Sequence, residues 1–241
     1  NLAYSLSQST GLNIGLFDAD LYGPSLPSLK DINNTNSSQG IIQDNESKML
    51  QPALYKEVQL MSLGWLKKSQ EKASIMRGPM LGNLCLQLLT QTKWHDKTDI
   101  LILDLPPGTG DIQLSLLQNL KLNGHIVVTT PQQLSYTDVI QGIDMFHSQQ
   151  IPLLGLVENM SHYKCNSCDT KHQIFSNSHI KQLYQQFPTQ LSSKNTLSLP
   201  LLNQLSSSLG IPYILQDNAQ KNIIKDYQTF AQYILKQVQQ Q

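Results

Sequence analysis

The sequence predicts an α/β fold, a mostly parallel sheet with helices on both faces, in one domain. Three observations carry that expectation. Short apolar runs alternate with stretches whose apolar residues recur every three or four positions, which is the pattern of right-handed βαβ units. Two of the runs end in aspartate, as strands do when their carboxyl ends open on a ligand crevice. The length, 241 residues, suffices to bury a full core and lies within the range of one domain.

The elements follow in chain order. Leu2 to Ser9 reads as the tail of a helix, with Gly11 as its stop. Asn13-Ile14-Gly15-Leu16-Phe17 is a buried parallel strand that ends in Asp18-Ala19-Asp20. Residues 31 to 48, dense in Asn, Ser, Gln and Asp, form a solvated loop. Strands are expected at Val58–Ser62, Ile100–Asp104, His125–Thr130 and Leu153–Val157, with helices at about 79 to 92, 111 to 120 and 136 to 148. From Asn218 to Gln240, Ile223, Ile224, Tyr227, Phe230, Ile234 and Val238 keep helical spacing, the mark of a helix docking on the sheet. There is no internal repeat.

Composition excludes several classes of function. With 17 basic and 17 acidic residues the formal net charge is +0, so nothing favours a nucleic acid or an anionic membrane surface as partner. No apolar run reaches the roughly 20 residues of a membrane span, and Asn1-Leu2-Ala3-Tyr4 lacks the basic start of a signal peptide. Three cysteines are too few for a disulfide scaffold and point to a reducing compartment. The chain starts in helix-like sequence without Met, as though it were N-terminally incomplete.

Chemistry is expected just beyond the apolar runs. Asp104, ending one of them, suits an acid that holds Mg²⁺ through its water shell beside a phosphate chain. After it, Pro106 and Pro107 stiffen the backbone while Gly108 and Gly110 let N–H groups approach a terminal phosphate. The plain alternative is a turn capped by Asp111 at a helix start. Trp65 and Trp94 read as packing residues, Tyr136 as the start of a helix with an apolar inner face, and Arg77 as a surface ion-pair residue.

Cys165 and Cys168 bring two thiolates within reach of one metal, which half-fills a site. Cys85, in Leu84-Cys85-Leu86-Gln87-Leu88-Leu89, reads as a buried small residue. The missing ligands come either from a second copy of the chain, giving a Cys₄ set, or from His162 and His172, giving a Cys₂His₂ zinc site. Spacing alone leaves cluster and zinc equally open.

Five ordered motifs carry a resemblance: Asp18-Ala19-Asp20-Leu21-Tyr22-Gly23-Pro24-Ser25, Arg77-Gly78-Pro79-Met80, Asp104-Leu105-Pro106-Pro107-Gly108-Thr109-Gly110-Asp111-Ile112-Gln113-Leu114-Ser115, Glu158-Asn159-Met160-Ser161 and Cys165-Asn166-Ser167-Cys168. In this order they resemble the Mrp/ApbC family, nearest to its mitochondrial branch that serves respiratory complex I assembly, over nearly the whole chain. The resemblance implies a P-loop ATPase of the deviant Walker A, MinD-like type. Such a protein forms a homodimer, holds a [4Fe–4S] cluster between its two subunits and passes it to apoproteins.

Site residues follow by position. Asp20 resembles the first switch acid near the attacking water and Asp104 the Mg²⁺-linked acid of the second. Asp18 and Gly108 belong to the same two nucleotide-facing motifs, and Asn159 resembles the position near the adenine of ATP. Cys165 and Cys168 match the family's metal pair, which implies the cluster rather than zinc. Localisation implied in this way is the mitochondrial matrix, or the cytoplasm for a bacterial protein. One departure stands out: the family's Gly-Lys-Gly-Gly-Val-Gly-Lys-Ser/Thr loop, expected immediately before Asn1, is absent from these residues. Without it the phosphates lack their backbone cradle and lysines. A fragment of this kind is expected to bind nucleotide poorly. Rival readings are a ParA/MinD-like positioning ATPase and a zinc-stabilised binding module without catalysis.

Overall fold

The computed structural model describes residues 1–28, 42–44, 48–69, 78–165, 167–168, 170–175, 178–202 and 210–240. Arg77 and most of the expected loop 31–48 lie outside them. The chain forms two compact units, one of residues 1–120 and 209–218, the other of residues 121–208 and 219–241.

In the first unit, α1 (Leu2–Thr10) ends at Gly11, whose φ of 70° is the left-handed conformation a helix stop requires. It leads to β1 (Ile14–Asp18), then β2 (Ile42–Gln43), β3 (Leu50–Gln51), β4 (Ala53–Tyr55), β5 (Val58–Ser62), α2 (Gly64–Ser69), α3 (Gly78–Gln91), β6 (Ile100–Asp104) and α4 (Asp111–Asn119). The main sheet runs β4-β5-β1-β6, with β1 parallel to both neighbours and β4 antiparallel to β5. Phe17 is fully buried, with Ile14, Val58, Leu60 and Met61 around it on the central strands, each contributing about 1.5–3 kcal/mol by leaving water. A second pair, β2 with β3, is antiparallel and falls partly within the segment expected to be loop.

The second unit holds β7 (His125–Thr129), α5 (Gln133–Ser148), β8 (Leu153–Glu158), β9 (Tyr163–Lys164), β10 (Lys171–His172), α6 (Ser178–Gln186), β11 (Thr196–Ser198) and α7 (Lys221–Gln239). Its sheet is β11-β8-β7, all parallel, and β9 pairs with β10 as a small antiparallel hairpin. Val139 and Ile143 of α5, Leu156 of β8 and Ile180 and Leu183 of α6 make the core. α7 buries Ile223, Phe230, Ala231 and Ile234, the stripe expected of a docking helix.

Element positions agree with expectation to within about three residues. The difference lies in burial. β6 and β7, read as buried strands from their apolar sequence, are each the edge of their sheet, and Leu101 and Val128 are 37% and 64% exposed. Among the described residues each pairs with one neighbouring strand only.

Candidate functional site

The register of the first sheet sets Asp18 directly opposite Asp104 at the carboxyl ends of β1 and β6. Asp18 is fully buried and its oxygens are occupied. Oδ1 accepts from the Asp20 N–H (3.1 Å), while Oδ2 accepts from the N–H groups of Ser25 (3.0 Å) and Leu26 (3.1 Å) and from Ser62 Oγ (3.0 Å). It therefore anchors the whole loop 19–26 to the sheet. Asp20, held in that loop, accepts from the Tyr22 and Gly23 N–H groups, both at 2.9 Å through Oδ1. Asp104 is exposed at the end of β6, yet desolvation by the surrounding protein is the largest cause raising its carboxyl above the usual carboxylate range. Asp18 adds to this, the Asn1 amino group offsets part of it, and Asp20 adds the least. Three acids thus stand at or just beyond two adjoining strand ends, one of them reluctant to ionise.

The segment after β6 is open. Gly108 has φ 85° and no atom within 4 Å of where a Cβ would stand, so the backbone there faces free space. α4 begins with Gly110 as N-cap and no side-chain cap, and Asp111 sits inside the first turn. The alternative reading, a turn capped by Asp111, is thus not met, and the first N–H groups of the helix have no side-chain cap. The residue that shapes this loop was missed by sequence reasoning. Gln113, 2% exposed, donates from Nε2 to the carbonyls of Pro106 (2.6 Å) and Gly108 (3.0 Å). A glutamine one turn into a helix, on its apolar side, was the available signal.

In the second unit, Asn159 follows β8. Its N–H donates to Thr129 O (2.7 Å) and its Oδ1 accepts from the Met160 N–H (3.0 Å). Six residues on, Cys165 closes the β9–β10 hairpin by donating its N–H to Thr170 O at 3.0 Å, and the Cys168 thiol lies 3.2 Å from Thr170 Oγ1. No disulfide involves Cys85, Cys165 or Cys168. Cys165 is half-buried and Cys168 exposed, whereas Cys85 is wholly buried, its thiol pushed up to about 12 by burial, which makes it inert as a ligand. Among the described residues no group of three or more His, Cys, Asp or Glu side chains is placed to hold a metal. His162 and His172, the zinc rival's remaining ligands, are not brought together with the cysteines. His162 Nδ1 is instead 2.8 Å from Ser161 Oγ.

Beside the hairpin, Glu158, Ser161, His162, Lys171, His172, Gln173 and Ser198 line an open cavity of about 640 Å³. Glu158 there is 6% exposed, and burial raises its carboxyl above the usual range despite the hydrogen bond from Ser198 Oγ (3.0 Å). At the other end of the sheet, His125 stacks on Phe146 with centroids 4.3 Å apart. Burial lowers it to about 4, and the nearby carbonyls of Pro152 and Ile151 offset only part of the cost. Trp65 is buried and Trp94 donates to Leu89 O (3.0 Å), packing roles as expected. Tyr136 lies one turn inside α5, its hydroxyl donating to Gln186 Oε1 at 3.1 Å. No helix among the described residues is long and apolar enough to cross a membrane.

Residues 1–235 match the model of the ParA-type NUBPL iron-transfer P-loop NTPases. The iron-sulfur cluster transfer protein NUBPL of Dictyostelium discoideum is 34% identical over 239 residues, 99% of this chain and 71% of that one. The iron-sulfur cluster carrier protein of Escherichia coli K12 is 36% identical over 215 residues, and there the chain spans only 56% of its relative's length. Among solved structures, a nucleotide-binding protein of Archaeoglobus fulgidus in complex with ADP superposes with a TM-score of 0.69 at 26% identity, over 87% of this chain and 77% of that one.

Proposed function

This chain belongs to the NUBPL iron-transfer P-loop NTPase family, and from that premise we propose that it is an ATP-dependent iron–sulfur carrier. Cys165 and Cys168 of two copies hold one [4Fe–4S] cluster, which is handed on to apoproteins, respiratory complex I among their destinations. The observation that carries the reading is the hairpin itself. Two cysteines stand at its tip while the described residues group no third metal-binding side chain with them. Two sulfurs are half of a Cys₄ set, and a two-fold axis supplies the other half.

The same count weighs against the zinc module, which needs His162 and His172 beside the cysteines. A positioning ATPase leaves the pair without a role, and the last helix, with Lys221, Lys225 and Asp226 among its polar residues, is no basic membrane anchor. Nucleotide binding is the second half of the proposal. When bound, Mg²⁺ would add positive charge beside Asp18, Asp20 and Asp104, hard oxygen donors of the kind that ion takes, so the residues present fit it. By resemblance to the family, Asp104 would hold the ion's water shell, Asp20 would serve the attacking water, Gly108 and the α4 N-terminus would meet the terminal phosphate, and Asn159 would serve adenine recognition. Asp18 serves by holding the loop that carries Asp20. Both compact units are read as parts of one P-loop domain, in keeping with a family match that runs through them. A matrix location follows the resemblance to the mitochondrial branch.

ATP hydrolysis calls for a phosphate-binding loop in addition to these residues. A chain that joins such a loop to these residues is expected to hydrolyse ATP slowly. Anaerobic reconstitution with iron and sulfide tests the central reading. It should produce charge-transfer absorbance that Cys165→Ser or Cys168→Ser abolishes and Cys85→Ser leaves intact. A colourless, zinc-loaded protein refutes it.

A further inference from the structure

The five residues between Asn159 and Cys165 are fastened along one side to the segment that follows β11. The Leu199 N–H donates to Glu158 O (2.9 Å), and the Ser161 N–H donates back to Leu199 O (2.8 Å). The Leu201 N–H donates to His162 O (2.7 Å), and Tyr163 forms a parallel bridge with Leu201. Two side chains reinforce this seam. Ser198 Oγ donates to Glu158 Oε2 (3.0 Å), and Ser161 Oγ donates to the same Leu199 carbonyl (3.0 Å) that already receives the Ser161 N–H.

A hydroxyl has one proton. With that of Ser161 given to Leu199 O, the 2.8 Å contact with His162 is a bond donated by Nδ1–H to Ser161 Oγ. Ser161 is 6% exposed and thus joins three things at one buried oxygen: the seam, its own turn and the histidine that leads into β9.

We propose that Ser161 is a positioning residue, which with Glu158 locks the end of β8, the end of β11 and the cysteine hairpin into one lever, so that a displacement of Asn159 on ligand binding reaches Cys165. This rests on the carrier reading above and names its internal linkage. A packed, doubly bonded seam transmits a shift because it has few ways to absorb one. Where the seam is cut, the end of β8 and the hairpin move independently.

The test uses a form of the protein that carries a phosphate-binding loop, with Ser161→Ala and the hydroxyl-retaining Ser161→Thr. In cluster-free protein, amide hydrogen exchange at Tyr163–Cys165 is measured with and without Mg²⁺-ATP. In loaded protein, the ratio of cluster-transfer rates with and without Mg²⁺-ATP is measured. Wild type and Ser161→Thr should show a nucleotide-dependent change in both readouts. Ser161→Ala should lose most of it, a tenfold effect falling below twofold, while binding ATP and loading cluster as before. A Ser161→Ala variant that keeps the wild-type ratio overturns the proposal. So does one that lowers loading equally with and without nucleotide, which is a structural role only. Wild-type exchange that ignores ATP also overturns it. Failure of the wild type to load cluster sinks the carrier reading instead, and the exchange measurement on cluster-free protein still decides the lever.

Discussion

At the ends of β1 and β6 the loops that carry the proposed nucleotide residues are fixed by internal hydrogen bonds from buried side chains, whereas the hairpin after β8 is short and mostly exposed. Asp18 takes four donors and fixes the loop that carries Asp20, and Gln113 fixes the glycine loop from below. Cys165 and Cys168 lie in the connection between strands two residues long, with Thr170 bonded to both. The contrast is chemical. Phosphate is bound by a backbone shape, which has to exist beforehand. On the proposed reading a cluster would be bound by sulfurs of two chains, and a half-site that is rigid and buried could not meet its twin.

The largest effect that would sharpen this contrast is expected at Asp18. Asp18→Ala strands three N–H groups and the Ser62 hydroxyl in a buried place and should cost about 3–5 kcal/mol in denaturant unfolding. A loss below about 1 kcal/mol breaks the picture of a pre-wired loop. In the second unit, acid sensitivity should sit at His125, away from the cysteines. Its folded-state pKa is lowered to about 4, so the unfolded chain takes the proton first. The contribution is complete above about 6.5 and is lost as pH falls through about 4, roughly 3 kcal/mol in all. His125→Phe, which keeps the stack on Phe146, should flatten the stability profile between pH 7 and 4 by about that amount. An unchanged slope would contradict the assignment.

Gln113→Leu keeps the volume but removes the bonds to Pro106 and Gly108, with an expected cost of about 1–3 kcal/mol in the melting transition. In a form that hydrolyses ATP, it should lower kcat more than it raises KM, because the loop rather than the base site is disturbed. The smallest effect is expected at the hairpin. Cys165→Ser and Cys168→Ser should change the stability of cluster-free protein by less than about 0.5 kcal/mol, since neither thiol is part of a core. A loss of 2 kcal/mol or more would mean that the hairpin is a structural element after all.

Much of the fold was legible because parallel strands with apolar runs and amphipathic helices obey two periods, and Gly11, Asp18 and Asp104 mark where elements stop. α6 and β11 were not read. In α6, Ile180, Leu183 and Tyr184 are too few among polar residues to announce a stripe, and β11 is three residues long. The half-exposed state of β6 and β7 was illegible for a different reason, since an apolar sequence records what a strand can bury and not how many neighbours it has. At the site, the motifs showed which residues matter but not how they are wired. Asp18 as loop anchor, Gln113 beneath the glycines and Ser161 in the seam depend on contacts with residues up to 44 positions away.

Native mass spectrometry of the anaerobically reconstituted protein tests the shared cluster most directly. The expected species is a dimer with one four-iron, four-sulfide cluster per two chains, which reverts to cluster-free protein in Cys168→Ser. A monomer that retains a fully coordinated cluster would contradict the account.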